Sequence, residues 1–350
     1  LGRYLTPVEH PIFDALRCFS SGQTTTIAKG LTQREKAQVI VDNCHDGYWA
    51  VGLDASRFDQ CIGRELLKLE HSVYTALYKG DRDLVALLKQ QLYNRGVHYG
   101  KEGMARINYG ALRCSGDMNT SLGNCIISVL LAHRYCVENG VQDKRLFCDG
   151  DDLLLFVRRR DLPKLDVLED WYLRWGLRMK IEAPACIPEK VEFCQSRPVL
   201  CGGSYTLIRD PRKCLNCDFS GFGDLAKPDY FKYYLRSVGV CGKYMTAGCP
   251  VLQAWYDMGV RCGATGRVSY HDLNRGFIKQ AVFEQSKGSA YNADVTPTAR
   301  MSFALAFGID EGHQLWLEDY LNKFEVGSQL DSTPTDYTHL TQTFSFYLDK

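Results

Sequence analysis

Apolar residues recur along this chain with two different periods. Three-to-four spacing in "PIFDALRCF" and "TQREKAQVIVDNC" predicts helices in the opening part. "YWAVGL" (48–53) is a short continuous apolar run that reads as a strand ending at Asp54. Beyond it Ile62, Leu66, Leu69, Val73 and Leu77 follow the helical repeat and predict an amphipathic helix. A second helix is expected at about 82–95, and "GMARINYGALRCSG" has β-formers around a glycine that predict a hairpin. "DMNTSLGNCIISVLLAHRYCVENG" predicts a long helix with a strongly apolar second half. "LFCDGDDLLLF" (146–156) reads as two strands joined by a tight acidic turn. "LPKLDVLEDWYLRWG" predicts a helix closed by Gly176, and short β segments are expected around 178–182, 191–194 and 198–208. From about 228 to 325 the pattern is helical and rich in aromatic residues. The polar, Ser/Thr-rich end, "GSQLDSTPTDYTHLTQTFSFYLDK", reads as a loose tail or a docked strand. The order from 48 to 208 is that of an α+β fold around one antiparallel sheet.

Composition narrows the class only a little. A chain of 350 residues and 39.7 kDa is long enough for two or three subdomains, and 45% hydrophobic with 24% charged residues is ordinary for a globular protein. A formal charge of +1 gives no overall pull toward nucleic acid, so such a partner would need basic groups gathered on one face. The chain opens "LGRYLTPVEH", with no basic-then-apolar leader, so its fifteen cysteines read as reduced, mostly buried thiols in a cytosolic setting. Leucine at position 1 suggests a fragment or a processed product. No apolar run reaches the roughly 18 residues of a membrane span. Cys214 and Cys217 in "KCLNC" have half-site spacing for zinc, but no second close pair follows and they read as incidental thiols.

The charge at the acidic turn is what needs a chemical reason. Aspartate is poorly suited to strands and is seldom buried without a partner. In "DASRFDQ", Asp54 ends a strand and Asp59 begins a helix; in "SGDMNTSLGN", Ser115 and Gly116 form a turn and Thr120 and Asn124 share a helix face. Gly150-Asp151-Asp152 makes the hairpin turn, where glycine permits positive φ. Two divalent cations can clamp the attacking and leaving oxygens of phosphoryl transfer, and magnesium takes one or two carboxylates plus phosphates and water. Without cations, Asp54, Asp151 and Asp152 would repel one another. Asp59, Thr120 and Asn124 supply a carboxylate, a hydroxyl and an amide suited to a ribose 2′-OH. A Gly-Asp-Asp triplet arises by chance in about one chain in twenty of this length, so alone it says little. Ser-Gly-x-x-x-Thr-x-x-x-Asn is on the order of one in a few hundred, and the three motifs in this order weigh against solvated turns and helix-end acids.

These residues resemble the RNA-dependent RNA polymerases of positive-strand RNA viruses, in particular the tombusvirus-like group. "GLDASRFDQ" is similar to that family's motif A, "SGDMNTSLGN" to motif B, "GDD" to motif C, "GLRMKIE" to motif D and "VEFCQSRPV" to motif E. "GRYLTPVEH", "KGL" at 29–31, "YLRSVGVCG" and "ARMSFALAFGI" also look like family sequence, so the resemblance runs from residue 1 to about 310. It implies a right-hand polymerase fold: partial fingers (1–45), palm with motif A (46–80), a fingers insertion (81–112), palm with motifs B to E (113–208), a helical thumb (209–325) and a tail (326–350). It implies metal ligation by Asp54 and Asp151, with Asp152 assisting, of two Mg²⁺ or Mn²⁺ ions. Asp59, Ser115, Gly116, Thr120 and Asn124 would bind the ribonucleotide, and Lys180 would be the general acid that protonates pyrophosphate. Phe193, Cys194 and Gln195 would support the primer end or the initiating nucleotide. The family carries a basic segment, motif F, upstream in the fingers, and this chain starts just after its expected place, so strong activity from these residues alone is not expected. The family usually has uncharged residues before Gly-Asp-Asp; here Asp149 precedes it and reads as solvent-facing.

The implied function is template-directed RNA synthesis in viral genome replication. Template and product RNA, ribonucleoside triphosphates and viral replication proteins are the implied partners. The implied setting is the host cytoplasm, in membrane-associated replication complexes reached through an upstream region or a partner. A metal-dependent nucleotide-sugar glycosyltransferase would leave the Ser-Gly-x-x-x-Thr-x-x-x-Asn helix unexplained. A non-catalytic RNA-binding scaffold of a replication complex would leave intact motifs A, B and C without a task.

Overall fold

The computed structural model describes residues 1–22, 25–220, 228–264 and 275–325; the expected tail lies outside them. The chain forms two compact units, one of Leu1–Lys29 and Asn43–Cys186, the other of Gly30–Asp42 and the chain from Ile187 onward. The sequence pattern suggests one antiparallel sheet around the site; the described residues form three.

The first unit opens with α1 (Gly2–Leu5) and α2 (Glu9–Ala15); α3 (Gln33–His45) lies mostly in the second unit, and its last turn, back in the first, leads into β1 (Trp49–Ala55). Then follow α4 (Phe58–Cys61), α5 (Arg64–Leu77), α6 (Arg82–Gln90), β2 (Asn94–Gly100), β3 (Gly103–Tyr109) and α7 (Thr120–Glu138). Strands β4 (Lys144–Asp149) and β5 (Asp152–Val157), helix α8 (Leu168–Leu173) and β6 (Met179–Ile181) complete it. The main sheet has the order β4-β5-β1-β6, all antiparallel. Leu153 to Val157 are all buried, so this central strand is covered on both faces, which accounts for a continuous apolar run in place of alternation. Val51, Leu53, Leu146, Leu153, Leu155 and Val157 share a core with Leu122, Ile126, Val129 and Tyr135 of α7.

Three expectations are corrected here. The hairpin is β2–β3, starting at Asn94 and turning at 101–102, so the preceding helix stops at Gln90 and the expected hairpin within 103–116 holds only its second strand. Gly100 and Gly103 bracket that turn, and Gly103 has φ of 139°, a conformation glycine supplies most cheaply. "LPKLDVLEDWYLRWG" is no single helix: a 3₁₀ stretch over Arg159–Leu165, with Pro163 inside it, gives way to α8. Proline lacks the N–H that a continuous α-helix would use there. Residues 191–194 form a turn entry with one isolated bridge, Phe193 to Ser196, and no strand.

The second unit holds the hairpin of β7 (Ser196–Cys201) and β8 (Ser204–Arg209), then α9 (Pro211–Cys217), α10 (Pro228–Thr246), α11 (Leu252–Cys262), α12 (Arg275–Ser286), α13 (Pro297–Phe307) and α14 (Glu311–Lys323). Its core gathers Val199, Leu215, Phe231, Leu235, Trp255, Tyr256, Phe303 and Leu317. Gln33 N–H donates to Glu284 Oε1 at 2.7 Å, tying the start of α3 to α12. All fifteen cysteines are free thiols; Cys214 is buried and Cys217 exposed on the short α9. No helix of the described residues is long and apolar enough to cross a membrane.

Candidate active site

Three elements of the first unit carry the predicted residues to one end of the main sheet. β1 pairs Leu53 with Leu153 of β5 and Asp54 with Lys180 of β6. Asp54 is therefore one step beyond the rung that leads to Asp152, at the mouth of the β4–β5 turn. In that turn Asp149 and Asp152 are the last paired residues, and Gly150 and Asp151 form the two-residue loop. Gly150 has φ of 89°, the requirement at the first loop position of a type II′ hairpin turn, so the glycine of the triplet is dictated by the backbone.

Helix α7 holds this turn from beside it. Ser128 Oγ donates to Gly150 O at 2.7 Å. One turn earlier Asn124 Nδ2 donates to Asp59 Oδ1 at 2.8 Å, and the Ser115 hydroxyl donates to Asp59 Oδ2. One turn earlier again the Thr120 hydroxyl donates to Cys114 O at 3.2 Å and closes the Ser115-Gly116 loop, where Gly116 has φ of 97°. Asp59 reaches this position because Arg57, between it and Asp54, adopts a left-handed conformation with φ of 54° that turns the chain from β1 into α4. A non-glycine residue there costs on the order of 1–3 kcal/mol, and such strain gathers at working sites.

The electrostatics follow from this crowding. Asp151 reaches solvent, yet partial desolvation of its carboxyl, joined by the charges of Asp59 and Asp54, raises its pKa above the usual carboxylate range; its own backbone N–H and Lys29 act the other way. Asp59 and Asp54 are thus near enough to oppose the ionisation of Asp151. Among the described residues no three Asp, Glu, His or Cys side chains converge into a ready-made metal cluster. The donor set fits Mg²⁺ or Mn²⁺ in another way: hard oxygens, few protein ligands, and room for phosphate and water to complete the shell. One acceptor also stands out, because Asn124 Oδ1 is buried and receives no hydrogen bond from the protein.

Asp149 is not solvent-facing as its position suggests. It forms an ion pair with Lys29, and its side chain is only 12% exposed. Lys29 escaped the sequence reading as a site residue because it sits in a short loop without periodicity, over a hundred positions from its partner; its place in "KGL" was the one available signal. Below the Ser115 loop lies a second feature that the sequence did not reveal, a fully buried Arg113–Glu70 ion pair. Glu70 also accepts from Tyr74 Oη at 2.8 Å and Asn119 Nδ2 at 2.5 Å.

Phe193, Cys194 and Gln195 belong to the second unit. Cys194 and Gln195 both have positive φ, 50° and 57°, between the reciprocal hydrogen bonds of Phe193 and Ser196. Phe193 is buried, and Gln195 Oε1 accepts from Lys213 Nζ at 3.2 Å.

With the geometry in view, the chain can be set beside known proteins. The family model described as viral RNA dependent RNA polymerase matches residues 1–329. The RNA-directed RNA polymerase of Maize chlorotic mottle virus is 36% identical over 331 residues, covering 93% of this chain and 33% of the relative. That of Melon necrotic spot virus is 34% identical over 330 residues, covering 91% of this chain and 41% of the relative. That of Oat chlorotic stunt virus is 34% identical over 367 aligned residues, covering all of this chain and 48% of the relative. The chain spans a third to a half of the length of these relatives. From the match over nearly its whole length, the chain belongs to the viral RNA-dependent RNA polymerase family.

Proposed function

We propose that this chain is the catalytic part of an RNA-directed RNA polymerase that copies a viral RNA genome. A 3′-hydroxyl attacks the α-phosphorus of a ribonucleoside triphosphate, the new phosphodiester bond forms, and pyrophosphate leaves. The observation that carries the reading is the meeting of Asp54, Asp151 and the Asp59–Ser115–Asn124 triad at one sheet end. In this reading the main sheet is the palm of a right-hand fold, 81–112 an insertion of the fingers and 209–325 the thumb.

Asp54 and Asp151, with Asp152 beside them, would hold two Mg²⁺ or Mn²⁺ ions; when bound these lower the pKa of the attacking hydroxyl and offset phosphoryl charge. Asp59, fixed by two donors, accepts from the ribose, while Asn124 Oδ1 accepts the 2′-OH proton that a deoxyribose lacks. Gly116 lets the loop carrying Ser115 approach the nucleotide, and Thr120 keeps that loop closed. Lys180, across from Asp54 in register and exposed, is set to donate a proton to departing pyrophosphate. The rigid turn of Phe193, Cys194 and Gln195 would steady the primer end. RNA template and product, ribonucleoside triphosphates and viral replication proteins are its partners, in membrane-associated complexes of the host cytoplasm.

Primer extension on an RNA template by the full-length polymerase that contains this chain tests the reading. Asp151→Ala is expected to cut incorporation by at least about a hundredfold relative to wild type. Equal incorporation by the two proteins would refute the role given to Asp151.

A further inference from the structure

We infer that Lys29 is a positioning residue of this site: pinned by Asp149, its ammonium sets the net charge beside the Gly150-Asp151 turn and thereby how tightly the turn's carboxylates hold a divalent cation. The inference rests on the polymerase reading above. The backbone brings Lys29 there by a defined route. Ala28 N–H donates to Cys148 O at 2.8 Å, Cys148 N–H donates to Thr26 O at 2.9 Å, and Ile27 pairs with Cys148 in a parallel bridge. The segment thus lies alongside the end of β4 through one parallel bridge and brings Lys29 to the point where β4 enters its turn. Its ammonium then meets Asp149.

The pair is 35% exposed at Lys29 and 12% at Asp149, so water and salt screen it only in part. Asp149 adds a carboxylate immediately before a turn already crowded by Asp151, Asp152 and Asp54. Removing the positive charge at 29 leaves the turn more negative and draws a cation toward it; removing the negative charge at 149 leaves it more positive and repels one. The two single substitutions should therefore act with opposite signs. A pair that merely anchored the 25–29 segment would behave differently, because losing either partner would loosen the turn and weaken cation binding both times.

Titration of the 350-residue chain with Mn²⁺, followed by electron paramagnetic resonance of the free ion, separates these outcomes without reference to catalysis. Lys29→Met is expected to lower the Kd for Mn²⁺ roughly three- to tenfold, and Asp149→Asn to raise it by a similar factor. The double variant should return close to wild type, and Lys29→Arg, which keeps the charge, should stay there. Weaker binding in both single variants, or a shift in Lys29→Arg as large as in Lys29→Met, overturns the charge role of the pair. Asp151→Asn serves as the reference for the site. If Mn²⁺ binding is absent in wild type or indifferent to that change, the metal site itself falls and the role of Lys29 with it. A circular dichroism melt of each variant establishes that it is folded.

Discussion

At the scale of single residues, Asp151 carries an electrostatic cost in the fold. Its pKa is raised by partial burial and by Asp59 and Asp54, so ionising it disfavours the folded chain. The sign follows directly. At about pH 3, below the ordinary carboxylate range, folded and unfolded chains are both protonated and the residue is neutral in effect. As pH rises past the raised value the penalty becomes complete. Asp151→Asn is therefore expected to raise the thermal midpoint in metal-free buffer at neutral pH, with the gain vanishing near pH 3; a differential scanning calorimetry series over pH measures it. The aspartates at 54, 59 and 151 were legible in the sequence because acids at the edges of apolar runs contradict the local pattern. Lys29 was not legible. A lysine in a loop conflicts with nothing, and its significance comes from a tertiary bridge to Cys148 that no local rule announces.

At the scale of elements, α7 works as a ruler. Thr120, Asn124 and Ser128 recur every four residues, and each makes one hydrogen bond to a different part of the site: the loop at Cys114, the carboxylate of Asp59, the turn at Gly150. The i, i+4 spacing of the first two was readable in advance, whereas the support beneath them was not. Gly123 lets α7 approach α5 so closely that a Cβ there would overlap the Glu70 carboxylate and the Arg113 guanidinium. Separating a buried pair of that kind is costly because each charge is left without its partner. Gly123→Ala is expected to destabilise the chain by about 3 kcal/mol, read from the shift in urea unfolding. The misplaced hairpin has a related cause. Every residue of β3 is exposed and β2 nearly so, leaving no buried face to impose the alternation by which strands are recognised.

At the scale of the whole molecule, chain order and spatial units do not coincide. Residues 30–42 lie between two parts of the first unit yet belong to the second. Ala37, Ile40 and Val41 on α3 are all buried. A fragment of 187–325 alone is expected to bind the dye ANS and to melt without a cooperative transition, and linking 30–42 to it should restore one. A fragment that melts cooperatively by itself would contradict this dependence. Such discontinuity cannot be read from composition or periodicity, since both are local and the division is a matter of long-range contact. The net charge of +1 was equally silent, because the groups that matter act within one turn and one loop.

The outer flank of β4 has a further consequence. Ser21 N–H donates to Lys144 O at 2.7 Å, Leu146 N–H donates to Ser20 Oγ at 3.0 Å, and the bonds of Ala28 and Thr26 occupy Cys148. Strand margins left bare are templates on which a neighbouring molecule can zip up, and here the template is already used. Two copies of this protein that meet through β4 find this stretch of the ladder already taken, which guards that edge of the sheet against self-association.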